Sequence, residues 1–134
     1  MKIFREEDRD THLANAAYFT GRVFHDQIIE AEEPARVRAL KVSFEPKART
    51  AWHTHPLGQT LYILEGVGLV GLRHQKVQKV RAGDTVWIPP KEEHWHGATP
   101  EKRMVHIAIQ EQLGGAVSNW LEHVTDTDYY FARN

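Results

Sequence analysis

Two short segments decide the reading of this chain: Ala51-Trp52-His53-Thr54-His55-Pro56-Leu57-Gly58-Gln59 and, further on, Glu93-His94-Trp95-His96. Side chains alternate between the faces of an extended strand. His53 and His55 therefore project from one face, and His94 and His96 share a face of a later strand. Gly58 allows a tight turn after Pro56 that brings Gln59 back toward the histidines. His53, His55, Gln59 and His94 are thus candidate ligands of one divalent metal, with His96 and His106 above it. By itself an H-x-H pair is equally the pattern of ordinary surface or packing histidines.

Outward from these segments the pattern is one of short strands with Gly and Pro punctuation. Strands are predicted over residues 36–44, 50–55, 60–65, 68–73, 77–80, 85–88, 94–97 and 103–110, with a further one over 19–29 interrupted near Asp26. Leu40, Val42 and Phe44 share an interior face, as do Met104, His106, Ala108 and Gln110. Gly66-Val67-Gly68 closes one strand, Ala82-Gly83-Asp84 makes a sharp turn, and Pro89-Pro90 stops the strand before it. After Gly114-Gly115 the tail returns over the barrel, anchored by Trp120, Leu121 and Val124. A terminal helical turn over 126–131 is capped by Thr125. No long amphipathic helix is present for βαβ crossovers, and no linker divides the chain. The expected fold is all-β: an antiparallel double-sheet barrel or jelly roll, one domain over 1–134.

Bulk composition narrows the function. The formal net charge is -1, from 17 Lys plus Arg and 18 Asp plus Glu, which gives no general basic footprint for nucleic acid. There is no cysteine, so any metal must use imidazole, carboxylate, amide or water. The first residues are charged, with no signal peptide, and no segment is long enough to span a bilayer, so the expected location is cytoplasmic, with no membrane partner. Of nine histidines, His12, His25, His74 and His123 have no partner pattern and read as ordinary residues. Arg49 is placed to brace the metal loop through an acidic neighbour. Trp52 and Trp95 have the parity opposite to the ligands, which suits packing between sheets or a subunit contact.

The order of these residues resembles the cupin family. Its first motif is matched by His53-x-His55-x3-Gln59-x6-Gly66 and its second by Gly83-x5-Pro89-x4-His94, so the metal motifs run over 53–66 and 83–96. Gln59 stands where the common cupin has Glu, Lys91 where Gly is usual and Ala98 where Asn is usual. A narrower resemblance is to the bacterial cupin-type hydroxynitrile lyases. It is carried by residues 49–60, by Val86-Trp87-Ile88 with Pro90, by His94-Trp95-His96-Gly97-Ala98, by residues 106–111 and by residues 120–125. This implies a double-stranded β-helix that binds Mn2+ through His53, His55, Gln59 and His94. Fe2+, Zn2+, Ni2+ and Co2+ are also compatible with the donors. It also implies cleavage and formation of aromatic cyanohydrins such as (R)-mandelonitrile, releasing aldehyde and hydrogen cyanide.

On this reading His106 and His96 carry protons, as near-neutral imidazoles do. Leu40, Val42, Phe44, Thr50, Leu61, Ile63, Trp87, Ala108 and Gln110 are the candidate pocket walls for a small aromatic or hydroxylated organic substrate. The alternatives are an oxygen-using cupin such as a dioxygenase and a non-catalytic small-molecule binding cupin. A homodimer or homotetramer is expected, because exposed edge strands need cover.

Overall fold

The computed structural model describes residues 1–131; the last three residues of the expected domain lie outside the described residues. The first strands are β1 (His12–Leu13), β2 (Phe19–Thr20), β3 (Val23–Glu30) and β4 (Val37–Phe44). β5 (Arg49–Thr50), β6 (His53–Thr54) and the long β7 (Gln59–Leu72) follow. Then come β8 (Gln78–Arg81), β9 (Thr85–Ile88), β10 (His94–Ala98), β11 (Met104–Glu111) and β12 (Asn119–Trp120). A single helical turn, α1 (Asp126–Tyr129), ends the described chain, and the Thr125 side chain accepts a hydrogen bond from the Asp128 N–H as its cap. All strand pairings are antiparallel, in the order β1-β3-β4-β11-β7-β10-β5-β2, with β8 and β9 on β7 and β6 between β10 and β12. This is the curled antiparallel jelly roll expected of the chain.

Two predicted strands, over 60–65 and 68–73, are one continuous strand, β7. Its first half pairs with β11 and β9, and its second half with β10 and β8. The glycines at 66 and 68 do not reverse the chain; they let it bend from one sheet into the other. Gly66 has φ +78°, and a Cβ there would run into the Arg103 carbonyl. Conversely, the predicted strand over 50–55 is split into β5 and β6. Ala51 and Trp52 bond other segments instead of β10: Ala51 N–H donates to Tyr18 O, and Trp52 exchanges both backbone bonds with Leu121 and Glu122. The irregularity predicted near Asp26 lies between Gln27 and Ile29.

Between the sheets lie Val23, Val42, Phe44, Leu61, Ile63 and Met104. Each such buried side chain contributes roughly 1.5–3 kcal/mol. A second cluster, Trp52, Leu69, Trp95, Val124 and Tyr129, sits on the opposite side of the sheet that carries the histidines, and the C-terminal segment covers it. Trp52 and Trp95 thus use the face opposite to the ligands.

Buried Arg49 ties this cover down. Its guanidinium donates to Val124 O at 2.8 and 3.2 Å and to Asp126 Oδ1 at 2.9 Å, and it lies over the Tyr129 ring. Arg49 is expected from the sequence to brace the metal loop through an acidic neighbour; the neighbour is Asp126, but these bonds hold the C-terminal segment, and the Asp126 side chain is solvent-exposed, so the ion pair contributes no more than about 1 kcal/mol. The carbonyl bonds and the packing matter more. Arg49→Ala is therefore expected to cost about 2–4 kcal/mol, and Asp126→Asn under about 1 kcal/mol. Urea unfolding of the two variants measures the difference; equal losses would mean that the ion pair holds the segment.

Candidate metal centre

The register sets the site. His53 stands directly across from His94 in the β6–β10 pairing, and His106 stands across from both Val42 and Ile63. Inward positions of β4, β7, β10 and β11 therefore converge. His53, His55, Gln59, His94, His96 and His106 are all buried.

Hydrogen bonds fix which ring nitrogen faces the centre. His53 Nδ1 bonds Ala51 O at 2.9 Å, His55 Nδ1 bonds Val117 O at 2.7 Å, and His94 Nδ1 bonds Glu92 O at 3.0 Å. A carbonyl oxygen only accepts, so each Nδ1 carries the proton and each Nε2 keeps its lone pair. This is the arrangement in which a histidine is held as a metal ligand. Among the described residues the buried His55 Nε2 has no hydrogen-bond partner.

The amides are oriented by the same reasoning. Gln110 Nε2 donates to Arg38 O, Gln59 Nε2 donates to Gln110 Oε1 at 3.0 Å, and Gln59 Oε1 is left 3.2 Å from His94 Nε2. Two lone pairs then face each other in a buried site. Protonating His94 would relieve this, but burial pushes that imidazole down to about 4, so at neutral pH it is uncharged. A cation between the two atoms satisfies both. His53, His55, Gln59 and His94 therefore fit a divalent ion. The set is neutral, with one amide oxygen among imidazoles, which suits first-row transition metals.

His96 joins this group. One ring nitrogen from each of His53, His94 and His96 lies within 4.8 Å of the other two, so three histidines alone can hold a metal ion. His96 also faces outward from the group: its Nδ1 is 2.9 Å from His106 Nε2. Among the described residues His96 Nε2 and His106 Nδ1 have no hydrogen-bond partner. Burial pushes His106 down to about 3 and, helped by the neighbouring imidazoles, holds His96 and His53 well below the usual histidine range. The His96–His106 pair is thus neutral: one N–H lies between the rings, and of the two outer nitrogens one carries the second proton and the other a lone pair.

A cavity of about 250 Å³ opens on these groups. It is lined by Phe19, Leu40, Val42, Thr50, His53, His55, Gln59, His96, His106, Ala108, Gln110, Val117, Ser118 and Trp120. Leu40, Val42, Thr50, Ala108 and Gln110, expected as walls, are in this lining. Phe44, Leu61 and Ile63 are not. Leu61 and Ile63 fill the core, and Phe44 packs its ring 5.2 Å from that of His106. Trp87 is a correction: it is 59% exposed, is absent from this lining and borders a different hollow, shared with Val86, Ile88 and His94. The sequence reading missed Phe19, Val117, Ser118 and Trp120 as cavity residues. The Trp120 ring lies 4.6 Å from that of His53. Its role as a tail anchor was legible, but its place over His53 was not.

Comparison with known proteins gives a consistent picture. Residues 40–109 match the cupin domain family. The chain is 47% identical over 129 residues to a protein of Granulicella tundricola named (R)-mandelonitrile lyase, covering 96% of this chain and 98% of that one. A solved cupin-like protein from Thermotoga maritima is 36% identical, with a TM-score of 0.85 over 97% of this chain and 96% of that chain. The polyketide cyclase RemF from Streptomyces resistomycificus shares the fold, with a TM-score of 0.75 at 19% identity over 97% of this chain and 91% of its own.

Proposed function

The chain belongs to the cupin family, and from that premise we propose that it is a metal-dependent hydroxynitrile lyase acting on small aromatic cyanohydrins such as (R)-mandelonitrile. The observation that carries this is the buried, uncharged His96–His106 pair in an apolar-walled cavity beside the ligand group. The relative named (R)-mandelonitrile lyase supports the same reading.

His53, His55, Gln59 and His94 would hold the metal, for which Mn2+ is proposed. Once bound, a divalent ion supplies positive charge that makes a neighbouring hydroxyl more acidic and polarises a carbonyl. The protein groups do the rest. Leu40, Val42, Phe19 and Trp120 present an apolar surface that suits an aromatic ring and excludes water. In the tautomer in which His106 Nε2 donates to His96 Nδ1, the second proton is on His96 Nε2 and the lone pair on His106 Nδ1, which accepts the substrate's hydroxyl proton. The C–C bond to the nitrile breaks, its electron pair leaves with cyanide, and the former C–O single bond becomes the aldehyde C=O. The proton then passes to cyanide, so one cyanohydrin gives one aldehyde and one HCN with no net proton change. A neutral imidazole suits both halves of this exchange.

The test is aldehyde release from racemic mandelonitrile at mildly acidic pH, with Mn-loaded and metal-stripped protein against the spontaneous background. Release that needs metal and favours one hand is expected. No release above background from protein with confirmed metal content would reject the lyase. Oxygen uptake with a phenolic substrate would instead favour a dioxygenase, the activity named for a Trichodesmium erythraeum relative that is 28% identical over 61% of this chain and 45% of its own.

A further inference from the structure

Spacing along the chain leaves His12 and His25 as ordinary residues, but the strand register brings them together. His12 of β1 stands directly across from His25 of β3, and their ring centroids are 5.7 Å apart. The buried ligand group holds its rings at a similar range: 4.9 Å for His53 and His55, 4.2 Å for His53 and His94, and 5.3 Å for His55 and His94. The rings of His94 and His96 are 5.6 Å apart, and those two belong to a group whose ring nitrogens lie within 4.8 Å of one another. The His12–His25 pair is therefore within reach of one ion held about 2.1 Å from a nitrogen of each ring.

Its setting differs from that of the buried group. Cross-strand partners share a sheet face, and the pairings give an inward row His12-His25-Val42-His106 across β1, β3, β4 and β11. Val42 and His106 line the cavity, so the two rings stand on the cavity side of the sheet but at its outer edge. His12 is exposed and His25 half-buried. Solvent reaches the pair, and water can fill the rest of an ion's coordination shell. His12 also borders a hollow of about 400 Å³ whose lining sets Asp8, Asp10 and Glu30 against Arg5 and Arg9, so no excess of positive charge opposes a cation. Burial and, after it, the facing His12 lower the His25 imidazole from its ordinary value, so it is uncharged at neutral pH, as a ligating histidine must be.

We propose that His12 and His25 form a second metal site, separate from the buried group, that takes Ni2+, Cu2+ or Zn2+. Imidazole donors hold these ions more tightly than Mn2+, which stands lowest in the first-row order. The ion ties the two-residue β1 to β3. The chain continues from β1 through Ala14, which packs against the core, to Phe19, which lines the cavity. Occupancy of the pair thus steadies the segment that delivers Phe19.

Equilibrium dialysis of the full chain against Ni2+ near neutral pH, followed by elemental analysis, tests this. Wild type is expected to bind one equivalent more than His12→Ala or His25→Ala, each with native circular dichroism. Affinity for that equivalent is expected to fall at least about 10-fold, since losing even an outer partner of a metal ligand costs that much. His123→Ala, which removes an exposed histidine of the C-terminal segment, is expected to match wild type. If His25→Ala misfolds, His12→Ala carries the test alone, because His12 is exposed. Equal Ni2+ binding by wild type and His12→Ala overturns the proposal. So does loss of the same equivalent in His123→Ala, which would mark it as non-specific surface binding. Neither outcome depends on lyase activity.

Discussion

Replacing His106 with alanine is expected to lower cyanohydrin cleavage by about 10²–10⁴-fold while metal content stays at the wild-type level. The size follows from the job proposed for the residue: a positioned proton carrier typically contributes that much. The selectivity follows from geometry. His106 meets His96 by the 2.9 Å contact between Nε2 and Nδ1 and is not one of the three histidines whose ring nitrogens lie within 4.8 Å of one another. His96→Ala should behave differently, because a His96 nitrogen lies within 4.8 Å of those of His53 and His94, so metal content is expected to fall along with turnover. Single-turnover rates beside elemental analysis separate the two. A His106→Ala protein within a few-fold of wild-type turnover would remove His106 from the mechanism.

The largest expected loss of stability lies away from the metal. Gly66→Ala is expected to cost roughly 2–5 kcal/mol, enough to unfold much of a marginally stable chain. A left-handed backbone at φ +78° costs an alanine roughly 1–2 kcal/mol. The rest comes from the Arg103 carbonyl, which occupies the place of the added methyl and cannot move without breaking the start of the β7–β11 pairing. Gly83, the glycine of the second motif, is the control. Its φ is +95° but nothing lies within 4 Å of a Cβ there, so Gly83→Ala should cost only the conformational part. Denaturant midpoints with unchanged m-values give the comparison. Equal losses at the two sites would show that the carbonyl contact is irrelevant.

These two glycines show where sequence reading ends. Both are motif glycines with positive φ, and spacing gives them equal weight. The crowding at Gly66 comes from Arg103, far along the chain. The same limit explains the pocket walls. In β11 the alternation Met104, His106, Ala108, Gln110 is regular, and all four are buried on one face. In β9 the run Val86-Trp87-Ile88 is apolar throughout, so parity has no polar residue to anchor it. Only the Thr60–Trp87 pairing shows that Trp87 points outward. Leu61 and Ile63 point inward as read, but parity says nothing of depth along the barrel, and they lie in the core and not at the cavity.

The sequence by itself determined the all-β jelly roll, the shared inward faces of His53 with His55 and of His94 with His96, and the inward face that carries His106. Strand period, turn residues and motif spacing are local signals, and these features depend on them. Only the tertiary structure decided which nitrogen of each histidine is free, because the carbonyls of Ala51, Val117 and Glu92 that settle it belong to the backbone and carry no residue signature. It also decided the amide order from Arg38 through Gln110 to Gln59, the closeness of His96 to the ligand group, and the place of Trp120 over His53. These depend on which distant segments meet, and that is set by packing the two sheets and the returning tail together.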